Sequence, residues 1–465
     1  MMIAFAGTSI LVAQSDRNSA AQRRTSRASL LVTDSAAARA MLQLSNPNNG
    51  VLLVRNYDPI NPATGTNYLG ADGVSKSGDE TATAVDEWTG YNPSGSSCFQ
   101  QLGWSAPNIA LTGSIGINET YTIRAYRYNK QKQLGTLLVE GNFNGQISLV
   151  SVLLSFEPIL DDFPGLLLRQ GGAPGILALR GRQVLGKKGN IYYSPASSAD
   201  PSLTGYSNSG DSTRPSYLNA LYSSSTKDGA SGDTVVGKIF ACQLMPNIPA
   251  GITGTNLGTI NTSQTLNGVG GQVTTFYQVD KINLANNDIL TVDTTGGPVQ
   301  IDVTDKGNPG TQPDLAITLR NNAKILNIRT DGQSPKVGDL RIMMRGNSQT
   351  NLYNNTCIQN AFLYAPVDEL RILTAGPGCP GGQNTNFEGV VWAEEILSSK
   401  NAASNRAVSN YFGGGTTEYD SLVTPGATSG IAVPDDVSSL TDVLDYVNWP
   451  VRYRYGSIQG WQRVN

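Results

Sequence analysis

The chain opens on an apolar run, Met1 to Ala13, and a short polar stretch, Gln14-Ser-Asp-Arg-Asn18, follows it. Between Ala28 and Leu44 the apolar residues Leu30, Leu31, Ala37, Ala38, Met41 and Leu42 recur at helical spacing, which predicts one apolar stripe. Gly7 is the only glycine before Pro47, which is itself the first proline. A single stalk helix over residues 1–46 is therefore expected, about 60 Å long for roughly 40 residues. That length exceeds the usual globular helix and points to a membrane or assembly role.

Beyond Pro47 the helical period is gone. Residues 47–105 are rich in Gly, Asn and Ser and read as an irregular, loop-rich region. From 106 to 160 the pattern alternates, and Thr120–Tyr128, Gly135–Gly141 and Ile147–Leu154 predict three strands of a small β-domain. Residues 161–400 carry many short strands with one buried face, as in Val299, Ile301 and Val303 or Leu340, Ile342 and Met344. A polar insertion interrupts them at about 195–250. The strand spacing fits either a sandwich or an irregular β-solenoid. Residues 401–465 form a polar stretch and a C-terminal aromatic tail. Within them Ser439 to Val447 predicts a short helix capped by Ser439. Trp449, Tyr453, Tyr455 and Trp461 form either a packed last element or a patch that contacts glycans or a partner. The expected fold class is mostly β with one long N-terminal α-helix, a small β-domain and then an irregular β-solenoid or sandwich.

Thirteen apolar residues fall short of the roughly 20 needed to span a bilayer. A signal peptide, an ordinary core helix and the end of a longer apolar helix are the competing readings; we favour the last. No basic n-region or cleavage site supports the first. Arg17, Arg23, Arg24 and Arg27 just beyond the apolar run would by themselves favour the cytoplasmic side.

The patch Ala6-Gly-Thr-Ser-Ile-Leu-Val-Ala13, the segment Gln14 to Gln22 and the Ala-rich amphipathic continuation resemble the stalk helix of large type IV pilin-like proteins. The run 106–160 resembles the small β-domain that follows that stalk. Asn360-Ala-Phe-Leu-Tyr-Ala-Pro366, Asp368 to Leu373 and Asn386-Phe-Glu-Gly-Val-Val-Trp-Ala393 are similar to rungs of the C-terminal body in that family, which favours the solenoid. The resemblance implies a subunit held in the inner membrane before assembly and then packed against copies of itself in a helical filament outside the cell. Ile3, Phe5, Ile10, Leu11 and Leu31 would be buried there. Arg23, Arg24 and Arg27 would need carboxylate partners, with Asp16 and Asp34 of neighbouring subunits as candidates. Two departures stand out: no prepilin cleavage motif is present, and Phe5 stands where a glutamate is usual, as in some minor or atypical pilins.

Composition narrows the chemistry. The chain has no histidine, so Ser-His-Asp and Cys-His pairs are excluded, along with the commonest metal ligand. A net charge of −3 with 15% charged residues gives no basic field for nucleic acid. The four cysteines, Cys98, Cys242, Cys357 and Cys379, include no CxxC pair, and one or two disulfides are expected. Cys357 with Cys379 is favoured by sequence separation. Gly181 to Lys188 nearly matches a phosphate loop, but Lys188 replaces the metal-binding hydroxyl and a strand pattern follows. Asp161-Asp162 are adjacent, which suits a turn better than a pair of glycosidase carboxylates. Asp302, Asp305, Asn308 and Asp314 are read as a loop before they are read as a Ca²⁺ site. No enzyme activity, cofactor or metal is expected. The function expected is a structural filament subunit, with a glycan- or surface-binding adhesin and a secreted polysaccharide-active enzyme as alternatives.

Overall fold

A computed structural model of the chain describes residues 2–60, 84–93, 99, 102–129, 132–168, 177–178, 183–186, 188–193, 234–235, 239–241, 253–271, 273–304, 314–345, 348–353, 355–372, 378–380, 385–397, 430–447, 449 and 451–464. For residues 2–12 the helical backbone alone is described. The protein is mostly β, with one long N-terminal helix and a curled parallel sheet. It divides into two compact units, Met1–Ile159 with Pro450–Asn465, and Leu160–Trp449.

In the first unit, helix α1 (Met2–Leu44) runs unbroken for 43 residues. It ends at Leu44, three residues before Pro47, which cannot continue it. Its packed face is Ser29, Val32, Thr33, Ala36, Ala37, Ala40 and Leu44, all at most 4% exposed. This face corrects the expected stripe. Leu31 and Leu42 are 67% and 72% exposed, and the packed face is made mainly of small residues with Val32 and Leu44. The reason is proximity. Ser29 Oγ lies 2.5 Å from Ser148 Oγ, and the Thr33 hydroxyl bonds the Ser148 carbonyl at 3.3 Å. A Cβ on Gly141 would come within 2.6 Å of the Thr33 amide nitrogen.

The sheet beneath α1 is antiparallel, in the order Val85–Asp86, Tyr57–Asp58, Glu119–Asn129, Leu134–Phe143, Gln146–Ile159 and Arg452–Val464. Thr112–Gly116 pairs additionally with Glu119–Asn129. Asn144 and Gly145, both at positive φ, make the two-residue turn between Phe143 and Gln146. The three alternating segments thus become the three central strands. Two features differ from expectation. Within 47–105, the 3-10 helix Asn49–Val54 is buried, and its carbonyls hold two aromatic side chains: Trp88 Nε1 donates to Leu52 and Tyr126 Oη to Leu53. Residues 61–83 of that region lie outside the described residues. The region 401–465, moreover, does not stand as one unit: its aromatic tail is a packed last element, the strand Arg452–Val464, which closes the first unit's sheet against Gln146–Ile159.

The second unit is a sheet whose described ladders are all parallel. From Thr255 to Leu352 each strand pairs with the third one along the chain. Thr275–Val279 pairs with Val299–Val303, and that strand with Leu340–Met344; Ile289–Asp293 pairs with Lys324–Ile328. Alternation puts Leu290, Ile325 and Ile358 in register and fully buried, as are Ile301 and Ile342 beside them. An antiparallel sandwich does not describe these ladders. The order is not sequential throughout, since Leu166–Leu168 pairs on one side with Phe387–Leu397 and on the other with Ile191–Tyr193. The predicted capped helix at 439 resolves into two 3-10 segments, Ser438–Leu440 and Val443–Val447, with no side-chain cap on the first.

Candidate assembly surface

Helix α1 changes character along its length. From Ala13 to Ser26 every side chain is exposed except the half-buried Thr25, whereas from Ser29 onward one face is packed. The opposite face of that second half carries Leu31, Ser35, Ala38 and Leu42, all exposed and spaced so that they align along the helix. Leu31 thus lies on an open stripe. Arg23, Arg24 and Arg27 are also exposed, and among the described residues no carboxylate pairs with them. Asp16 is exposed one turn or more away from them. Asp34, expected to serve a neighbour's arginine, instead faces Arg463 of its own unit at 3.6 Å. Arg39 is similarly engaged: its guanidinium donates to the Ser114 carbonyl and lies 5.9 Å from the Tyr121 ring. For Ile3, Phe5, Ile10 and Leu11 the side chains lie outside the described residues. Among those described, no helix is long and apolar enough to cross a membrane.

The residues considered for chemistry do not converge. Asp161 binds Lys188 at 2.7 Å at the surface, while Asp162 is buried and its carbonyl accepts the Tyr192 hydroxyl. That ion pair also takes up Lys188, at the hydroxyl position of the near-match to a phosphate loop, and Ile191–Tyr193 after it is a strand with no helix terminus to offer. Asp302 is held by Arg345 at 2.9 Å and by Gln300 at 2.8 Å. Asp305 and Asn308 lie outside the described residues, and no group of metal-ligating side chains occurs among those described. Cys357 and Cys379 form a disulfide with Cα atoms 4.8 Å apart. Cys98 and Cys242 lie outside the described residues. The tail aromatics are divided: Trp449 and Tyr453 are buried, while Trp461 is 39% exposed.

Sequence reasoning missed two features. The first is a repeat. Asn286-Asn287, Asn321-Asn322 and Asn354-Asn355 precede the stacked Leu290, Ile325 and Ile358 at the same offset. All the described members have positive φ, and the amides bond between neighbouring strands, Asn321 to Asn286 at 3.2 Å and Asn322 to Asn287 at 3.0 Å. The recurring Asn-Asn pair was the available signal. The second is Asp368, 1% exposed, whose Oδ1 accepts from the backbone N–H and the hydroxyl of Ser348. Among the described residues its Oδ2 has no partner. Burial pushes this carboxyl up to about 7, helped by Glu394 and Glu369, against the lowering effect of the Ser348 bonds. Nothing in Pro366-Val-Asp-Glu distinguishes such a residue from a surface aspartate.

A family described as Domain of unknown function (DUF7305) matches residues 209–426, somewhat less than half of the chain. No curated protein matches. A crystal structure of the competence-associated pilin ComZ from Thermus thermophilus aligns over 79% of this chain and 90% of its own, at 11% identity and a TM-score of 0.21, a likeness too faint to define a common fold.

Proposed function

We propose that the chain is a non-enzymatic structural subunit of an extracellular, type IV pilus-like filament, held in the inner membrane before assembly and packed through α1 against copies of itself. The observation that carries this reading is the division of α1. One face of its second half is built into a sheet, while Ala13–Ser26, apart from the half-buried Thr25, and the stripe Leu31, Ala38 and Leu42 are exposed. A helix of this length gains little from water on all sides, and burying its exposed apolar surface against sister helices would contribute roughly 25 cal/mol per Å². Arg23, Arg24 and Arg27 would meet carboxylates of neighbouring subunits, with Asp16 as the remaining candidate on the helix.

We read the second unit as a β-solenoid that forms the outer body. Pairing of each strand from Thr255 to Ile328 with the third along the chain supports this, as do the stacked asparagine corners. The absence of histidine and the divergence of Asp161 and Asp162 support a non-catalytic role.

Removal of residues 1–28 tests the filament. The cut stops before Ser29, the first residue of the packed face, and a folded, soluble protein is expected. Electron microscopy should then find no fibres of this chain, against fibres from the intact protein. Fibres persisting in the truncated protein would sink the proposal.

A further inference from the structure

We infer that Arg17, Arg23, Arg24 and Arg27 form a stripe on α1 that binds the phosphates of anionic phospholipid headgroups and so sets which side of the helix meets a membrane. This rests on the reading that the subunit is held in a membrane before assembly. On assembly the phosphates would be exchanged for carboxylates of neighbouring subunits.

The stripe is a property of spacing. Arg17 and Arg24 are seven positions apart, Arg27 follows Arg24 by three and Arg23 by four, so at about 3.6 residues per turn all four project within a sector of about 120°. The exposed Leu31, Ala38 and Leu42 continue the same side along the packed half of the helix. Val32, Ala36 and Ala40 occupy the other side, against the sheet. All four arginines are exposed, and none has a carboxylate partner among the described residues.

The occupant follows from the charge and from what precedes the stripe. Asp16 is the only acid in residues 1–33, and the next, Asp34, faces Arg463 at 3.6 Å. A sister helix therefore brings one available carboxylate to four arginines, and helix packed on helix leaves a surplus of three positive charges per copy (four less one). A surface dense in phosphate supplies the missing anions, and a guanidinium suits phosphate because it can bind two of its oxygens at once. The apolar run ends at Ala13, four residues before Arg17. With that run in hydrocarbon, Arg17 stands about 6 Å above the boundary, inside a headgroup layer roughly 5–8 Å deep. Arg27 is about 21 Å along the axis from Ala13, so an upright helix would carry it past the phosphates. Tilting toward the stripe lowers Arg23, Arg24 and Arg27 onto the surface and brings Leu31 and Leu42 to the interface.

The test mixes the full chain with vesicles of phosphatidylcholine alone, or of phosphatidylcholine with phosphatidylglycerol, and reads the bound share by flotation at stepped salt. Binding to the anionic vesicles should be tighter by on the order of tenfold or more, and this preference should fade as salt rises. Arg24→Gln with Arg27→Gln should reduce the preference by about tenfold and leave binding to neutral vesicles unchanged. Lys132→Gln with Arg454→Gln removes the same charge from exposed positions off the helix and should change neither. Circular dichroism of both variants should match the parent. Equal binding to the two kinds of vesicle, or a preference that the helix variant retains, would overturn the inference and leave the membrane-held stage standing. Binding to neither kind would sink both. Fibres lost from the helix variant while the anionic preference persists would assign the stripe to carboxylates of sister subunits, and the inference would fall.

Discussion

At the scale of single residues, two buried charges make opposite statements about stability. Asp58, with a fully buried side chain, is met by Arg127 Nη2 at 3.0 Å and Nε at 3.2 Å. Arg127→Ala leaves that carboxylate buried without its cation, and should cost about 3–5 kcal/mol in chemical denaturation. The double change Asp58→Leu with Arg127→Met should cost less than the single one. Asp368 behaves differently, because its folded value near 7 lies above the unfolded 3.8. The fold therefore keeps a proton that the unfolded chain releases. The resulting stabilisation is complete below about pH 4 and is lost as pH rises to about 7, by an amount on the order of 4 kcal/mol. Asp368→Asn should flatten this slope between pH 4 and 7; an unchanged slope in denaturation at stepped pH would show that another group is responsible. Asparagine at positive φ gives a third case. Asn322 sits at φ 66° and bonds Asn287, so Asn322→Ala should lose about 1–3 kcal/mol to backbone strain and the missing bond. Asn322→Gly should recover the strain component alone.

At the scale of elements, the contact between α1 and its sheet depends on what is missing from Gly141. The Thr33 backbone occupies the space where a Cβ would stand, so the helix cannot approach as closely if one is present. Gly141→Ala should destabilise the first unit by about 1–3 kcal/mol without altering the strand register fixed by the Asn144-Gly145 turn. Native-state hydrogen exchange of residues 29–44 would show the loss. The same contact explains why the sequence misled about the helix face. Periodicity puts Leu30, Leu31, Ala37, Ala38, Met41 and Leu42 on one stripe, yet the packed face takes Ala37 with Ser29, Val32, Thr33, Ala36, Ala40 and Leu44, and Leu31, Ala38 and Leu42 are exposed. The strands were legible because one face of each is buried by apolar residues at alternate positions, as in Val299, Ile301 and Val303. Their pairing was not. Alternation is the same for a strand with parallel or antiparallel neighbours, and only the spacing of Asn286-Asn287, Asn321-Asn322 and Asn354-Asn355 carried the layer repeat. Of the candidate surface, the length of α1 could be read directly from the run free of Gly and Pro between Gly7 and Pro47. The engagement of Asp34 could not, because its partner Arg463 lies at the opposite end of the chain.

At the scale of the whole molecule, the connection between the units is itself a testable statement. Residues 160–449 enter after Gln146–Ile159 and leave before Arg452–Val464, and these two strands are antiparallel neighbours with Ile159 opposite Arg452. The ends of the second unit therefore emerge from adjacent positions of a single ladder, which is where a hairpin turn could stand in its place. The core of the first unit depends on both termini of the chain: Val464 packs with Ala125 and Leu138, and Tyr453 with Phe156 at 5.2 Å. Replacing residues 160–449 with an Asn-Gly turn should accordingly give a protein of residues 1–159 and 450–465 that keeps the antiparallel sheet and the packed half of α1. Closing the strands with two residues in place of a long segment also lowers the entropy cost of pairing them, so the shortened protein should be no less stable than the first unit within the full chain. Solution NMR would decide. Cross-strand contacts between Trp461 and Val152, and between Tyr453 and Pro158, are expected at the registers seen here. Their absence in a folded protein, or a chain that collapses without them, would mean that the second unit supplies stability to the first beyond merely joining its strands.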